Sequence, residues 1–159
     1  MKKLLIIFNL LILGLVPAHA RHIKGGEISY VYMGRGSQQG NDLYEVTLRL
    51  FLDCNASGQQ LDPEVNIAIY SNSFEIPLPG SAFIFPLTGD EFIRLTTPNP
   101  CITSPSPVCY RLRTYTRVLE IPRDPRGFTF VFQRCCRING LVNISPNSNV
   151  GASYTNRMS

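Results

Sequence analysis

The sequence predicts an all-β protein, an antiparallel β-sandwich of immunoglobulin-like or Greek-key type, stapled by disulfides. Three observations carry that expectation. The run Leu43–Leu52, "LYEVTLRLFL", alternates with period two: Tyr44, Val46, Leu48, Leu50 and Leu52 fall on one face, Glu45, Thr47 and Arg49 on the other. Similar runs recur at a spacing of about ten residues, punctuated by Gly, Pro, Asn and Ser. After the first twenty residues no stretch carries a helical period. A closed barrel is the second architecture that these strands allow.

The chain opens on an export signal. Lys2 and Lys3 supply a positive start, Leu4–Val16 an apolar run too short to span a bilayer comfortably, and Ala18-His19-Ala20 a cleavage signal. Residues 1–20 are thus read as a signal peptide and 21–159 as a single β-sandwich module, secreted or on the cell surface. A lipoprotein would need cysteine at the cut, where Arg21 stands.

Along the mature chain the expected strands are Glu27–Met33, Leu43–Leu52, Val65–Tyr70, Glu91–Thr96, Tyr110–Ile121 and Phe128–Gln133. Weaker strand signals lie at Phe83–Leu87, Leu141–Ile144 and Ala152–Thr155. Between them "GRGSQQGND", "NASGQQLDP", "TTPNPCITSPSPVC", "PRDPRG" and "SPNSN" have turn and loop composition. No internal repeat or linker is visible. The last segment, "NVGASYTNRMS", starts a strand with neither cap nor linker after it, so the chain is expected to be a fragment of a longer protein.

Enzymatic readings lack parts. The two histidines are His19, removed with the signal, and His22 beside the new N-terminus, so a Cys-His or Ser-His pair would need a residue from a chain end. Asp53, Asp62, Glu64, Asp90 and Glu91 are scattered, and nothing singles out a catalytic pair. Metal spacing is missing, "GRGSQQG" lacks the Lys-Ser/Thr ending of a phosphate loop, and no calcium-loop pattern is present. The expectation is a non-enzymatic chain with no catalytic residues, no metal and no cofactor.

The formal net charge of +4 hides an asymmetry. Residues 21–100 carry five basic and nine acidic groups, residues 101–159 eight basic and two acidic, and all eight are arginines. Arg111, Arg113 and Arg117 alternate along one strand, which puts them on one face. They are a candidate anion-binding surface for acidic polysaccharide or nucleic acid. A solvated outer face that discourages edge pairing is the favoured reading, because aromatic interleaving is limited to Tyr110 and Tyr115 and no nucleic-acid partner is expected.

Five cysteines after an export signal make disulfides the default and leave one thiol over. Parity suggests their pairing. The row Phe128, Phe130, Phe132 continues through Arg134 to Cys136, and the row ending in Leu52 continues to Cys54. A Cys54–Cys136 bridge is therefore expected. Cys101 and Cys109, bracketing a proline-rich loop, are expected to close on each other, leaving Cys135 unpaired. A vicinal Cys135–Cys136 bond is the alternative, disfavoured by its strained ring. Arg134 shares the inward row and is expected at the rim of the core or beside a bulge.

The stretches "HIKGGEISYVYMG", "LYEVTLRLFLDCNASG", "VNIAIYSN", "PNPCITSPSPVCY", "FTFVFQRCCRING" and "NVGASYTN", in this order, resemble the N-terminal module of large secreted surface proteins of Bacteroidota. Those proteins carry gliding-motility-associated C-terminal sorting regions and often PKD-like repeats. "LDC" stands where that pattern has "RDC". The resemblance implies type IX export, surface display or release, and an adhesin-like or structural role. It also implies downstream repeat and sorting domains, with surface glycans or other cell-surface proteins as partners. It brings no catalytic residues. Binding of carbohydrate or an anionic polymer through the arginine-rich half is the alternative function.

Overall fold

A computed structural model of the chain describes residues 23–54, 62–80, 82–94, 109–134 and 151–158. Eight strands account for most of them: β1 Ile23–Arg35, β2 Asn41–Asp53, β3 Glu64–Ser71, β4 Ile76–Pro77, β5 Phe83–Arg94, β6 Cys109–Pro122, β7 Phe128–Arg134 and β8 Ala152–Arg157. No helix occurs among the described residues, and the fold is the expected all-β, antiparallel one.

The strands form one sheet in the order β1-β2-β6-β5-β3-β7-β8, with β4 added beside β3. Every paired neighbour is antiparallel. The sheet bends back on itself into a sandwich that is nearly closed. β5 makes the turn from one layer to the other: Phe83–Pro86 pair with β3, and Leu87–Arg94 pair with β6. A bulge between Leu87 and Gly89 separates the two halves, and bulges bend strands in this way. Two strands expected separately, Phe83–Leu87 and Glu91–Thr96, are thus parts of one, with Leu95 and Thr96 outside the described residues. Leu141–Ile144 also lies outside the described residues.

Inward rows from both layers build the core. Val46, Leu48, Leu50 and Leu52 of β2 meet Val65, Ile67 and Ile69 of β3 and Phe128, Phe130 and Phe132 of β7. Phe85, Tyr115, Leu119 and Ile121 complete it, with Ile28 from β1 and Met158 just after β8. Each such side chain contributes about 1.5–3 kcal/mol of burial free energy, which fixes the register because a one-residue slip would turn a whole row to water.

The outer strands β1 and β8 face each other across the remaining gap. Asn156 Nδ2 donates to the Ile28 carbonyl at 2.7 Å, and Tyr154 packs over Gly26. A Cβ on Gly26 would come within 2.9 Å of Leu50 Cδ2 and 3.1 Å of the Arg49 carbonyl oxygen, so glycine is what lets the seam draw together.

The sandwich has two distinct ends. At one end lie the β1–β2 turn, the β3–β4 turn and the β6–β7 turn; we call it the turn end. At the other, strands β2, β5 and β7 stop and β3, β6 and β8 begin. The connections spanning residues 54–63, 95–108 and 135–151 all leave from this second end.

Candidate functional site

The second end holds the described disulfide. Asp53 of β2 stands opposite Tyr110 of β6, and one step further along both strands Cys54 meets Cys109. Their Cα atoms are 5.7 Å apart and the sulfurs are bonded. This bond corrects both expected bridges, Cys54–Cys136 and Cys101–Cys109. Parity placed Cys54 correctly on the inward row but carries no strand order: the neighbour of β2 is β6, whereas β7 lies between β3 and β8. Cys101, Cys135 and Cys136 lie outside the described residues.

Strand order also decides the face of the arginines. Leu48 pairs with Tyr115, Leu50 with Arg113 and Leu52 with Arg111, so the arginines occupy the row that also carries Tyr115, Leu119 and Ile121. The expected solvated outer face is therefore not where they lie. The outward row of β6 is Tyr110, Leu112, Thr114, Thr116, Val118 and Glu120. β6 splits its apolar residues between both rows, so alternation alone could not choose between them.

Each of the three arginines meets a different fate along this row. Arg117 is exposed and donates from Nη1 to the Ile84 carbonyl at 2.8 Å. Arg111 grips Asp90 with a two-pronged pair, Nε to Oδ1 at 2.6 Å and Nη2 to Oδ2 at 2.7 Å. Its guanidinium also stacks over the Phe92 ring at 5.2 Å. The hydrogen bond from Arg111, helped by its charge and that of Arg113, holds the Asp90 carboxyl below the ordinary carboxylate range despite desolvation.

Arg113 is different. It is 3 % exposed. Nε lies 3.4 Å from Asp90 Oδ2, an ion-pair contact without the alignment of a hydrogen bond. Neither Nε nor Nη1 has a hydrogen-bond partner. The guanidinium leans on the Tyr115 ring at 5.7 Å. Tyr115 in turn donates its hydroxyl to the Asp62 carbonyl at 3.1 Å, and burial raises its phenol pKa.

Arg134 closes the group from β7. It sits on the inward row at the rim, as its parity predicted, and forms an ion pair with Asp62. Beside it Gln133, Arg134, Gly151, Ala152 and Ser153 line an open hollow of about 420 Å³. Asp62 and Arg134 were not singled out as a pair by the sequence; the register of β7 against β3 brings them together. No group of three His, Cys, Asp or Glu side chains able to hold a metal ion occurs among the described residues.

No protein family, curated protein or solved structure matches the chain. The functional reading therefore rests on residues and geometry.

Proposed function

We propose that this chain is a non-enzymatic extracellular module of a bacterial surface or secreted protein, serving adhesion or structural display. The observation that carries the reading is the Cys54–Cys109 bond, which ties β2 to β6 at the end of the sandwich from which three connections leave. A covalent tie at that point holds the strand ends in one geometry while their connections vary in length and composition, the division of labour expected of a display scaffold. An export signal and a disulfide belong to the same compartment.

The test is to express the full chain in a Bacteroidota host and label intact cells with an antibody, before and after protease shaving. Surface labelling that shaving removes, or recovery of the disulfide-bonded chain in the medium, supports the proposal. Retention inside the cell with free thiols at Cys54 and Cys109 overturns it. A second reading, binding of carbohydrate or an anionic polymer, draws its support from the second half of the chain, where residues 101–159 carry eight arginines against two acidic groups. Retention on a heparin column that weakens steeply with salt would favour that reading over simple display.

A further inference from the structure

We propose that the turn end carries a sugar-binding platform, built by Tyr32 and Tyr44 with Arg35, Asp42 and Arg123, for one pyranose ring of an oligosaccharide. The proposal rests on the carbohydrate reading above and places its site on β1 and β2, away from the alternating arginines of β6.

A bulge in β1 assembles the platform. Tyr32 stands opposite Tyr44 and Arg35 opposite Asp42, so β1 takes three steps where β2 takes two. The extra residue brings Tyr32 and Arg35 to one face, where strict alternation would put Tyr32 with Gly34. Gly34 has a φ of 123°, a conformation that favours glycine. On β2 the same row runs from Val46 in the core through Tyr44 to Asp42. Arg123, just after β6, reaches the carboxylate of Asp42, Nε to Oδ1 at 3.1 Å.

The rings are held from the core outwards. Tyr30 packs on Phe130 with centroids 5.8 Å apart, Tyr44 on Tyr30 at 6.5 Å and Tyr32 on Tyr44 at 5.6 Å. Tyr32 is nevertheless 53 % exposed. A ring fixed by its neighbours but open to water loses little freedom on binding. Its electron-rich face suits the axial C–H groups of a pyranose. The sugar lies on this surface, so no cavity is required.

Polar groups surround the ring. Arg35 also approaches Asp42 through Oδ1, at 3.7 Å, and Oδ2 accepts no hydrogen bond from the described residues. The side chains of Arg35 and Arg123 are 67 % and 48 % exposed, which leaves their other N–H groups open to a ligand. Burial, and then the charge of Asp42, raise the Tyr44 phenol, so its hydroxyl stays neutral. A carboxylate oxygen, two guanidinium forks and a phenol beside an exposed ring are the donors and acceptors that neighbouring sugar hydroxyls need. An acidic sugar is not demanded: Asp42, and Glu120 against the β1–β2 turn, offset the two guanidinium charges.

The experiment titrates the disulfide-bonded chain with hexasaccharides of glucose, xylose, mannose and galacturonic acid while the aromatic ¹H–¹³C signals of its tyrosines are followed. The expected result is a saturable shift of Tyr32 and Tyr44 with at least one of them, while Tyr110 at the cysteine end stays still. Tyr32→Ala, at an exposed position, should weaken that binding about tenfold or more. Arg35→Gln should weaken it as well, and Arg117→Gln should leave it unchanged. Undiminished affinity in Tyr32→Ala overturns the site. Binding that survives Tyr32→Ala but falls with Arg117→Gln overturns the site and leaves the carbohydrate reading standing on β6. No saturable response to any of the hexasaccharides overturns both.

Discussion

The two ends of the sandwich handle buried and half-buried polar groups in opposite ways. At the turn end, two carboxylates, Asp124 and Glu120, collect short donors from the turns. Asp124 accepts from the hydroxyls of Ser71 and Ser73, and from the backbone N–H groups of Arg126 at 2.8 Å and Ser73 at 3.2 Å. Glu120 accepts from Ser37, from the backbone of Gln38 and from Asn41. Buried Asn72 donates to the carbonyls of Arg126 and Met158, both at 2.9 Å, and accepts from Thr129 at 2.6 Å. Each of these side chains is matched by groups that the turns bring to it. At both ends one carboxylate serves two arginines, Asp42 with Arg35 and Arg123 at the turn end and Asp90 with Arg111 and Arg113 at the cysteine end; the difference is that at the cysteine end a buried cation keeps two donors unmatched. Matched hydrogen bonds mark the turn end; the unmatched charge and the covalent tie mark the end from which the longer connections leave.

The largest expected effect tests the covalent side of that contrast. In the chain-entropy account, a bond across a separation of 55 residues stabilises by about 4 kcal/mol. Cys54→Ala with Cys109→Ala should lower the urea unfolding free energy by about that amount. A loss below about 1 kcal/mol would show that the strand ends are held without the bond, and the display reading would lose its anchor.

Next comes the turn end. Replacing Asn72 by alanine strands the buried Met158 carbonyl and removes two part-buried bonds, to the Arg126 carbonyl and from the Thr129 hydroxyl, so a loss of about 2 kcal/mol is expected. Thermal unfolding monitored by circular dichroism would check it. An effect near zero would mean that water replaces the amide without cost and that this end is looser than its hydrogen bonds imply.

The contrast between the ends also bears on what alternation in the sequence could and could not deliver. The rows of β2, β3 and β7 were legible because each has one apolar and one polar face, and burial follows that division. β6 was legible as a strand but not as to its face, because Tyr115, Leu119 and Ile121 share a row with Arg111, Arg113 and Arg117. Only the neighbour decides, and strand order is a long-range fact that period-two reasoning does not contain. The cysteine pairing went astray for the same reason: parity can exclude a face but cannot name a neighbour. β4 escaped notice because it has two residues and follows a turn in which Glu75 adopts a φ of 58°, a conformation to which nothing in "SNSFEIP" points.

A smaller effect probes the unmatched cation. Arg113→Met removes a buried charge, while Asp90 keeps its two hydrogen bonds from Arg111. Breaking a buried ion pair is ordinarily costly because it leaves a charge behind; here the charge left behind already has its partner. Replacement by an apolar side chain of similar length should thus be neutral or raise stability by about 1 kcal/mol. A loss above about 1.5 kcal/mol would show that Arg113 is satisfied in the folded chain, and the contrast between the two ends would fail at its centre.

The smallest effect is seen only in acid. Desolvation would raise the Asp124 carboxyl, but the hydrogen bonds from Ser71 and Ser73 and the backbone bonds outweigh it and hold the pKa at about 2, below the ordinary 3.8. A carboxyl whose folded pKa is depressed favours folding in its ionised form. Its contribution is complete above about pH 4 and disappears as the pH falls through about 2. Asp90, also depressed by Arg111, titrates in the same direction, so the wild-type acid profile alone reports both ends together. The difference between wild type and Asp124→Asn isolates the turn end: it should be constant from neutral pH to about 4 and shrink below that. An unchanging difference down to about pH 2 would mean that Asp124 acts through shape and not charge. The hydroxyls of Ser71 and Ser73 would then be caps that any polar side chain could receive.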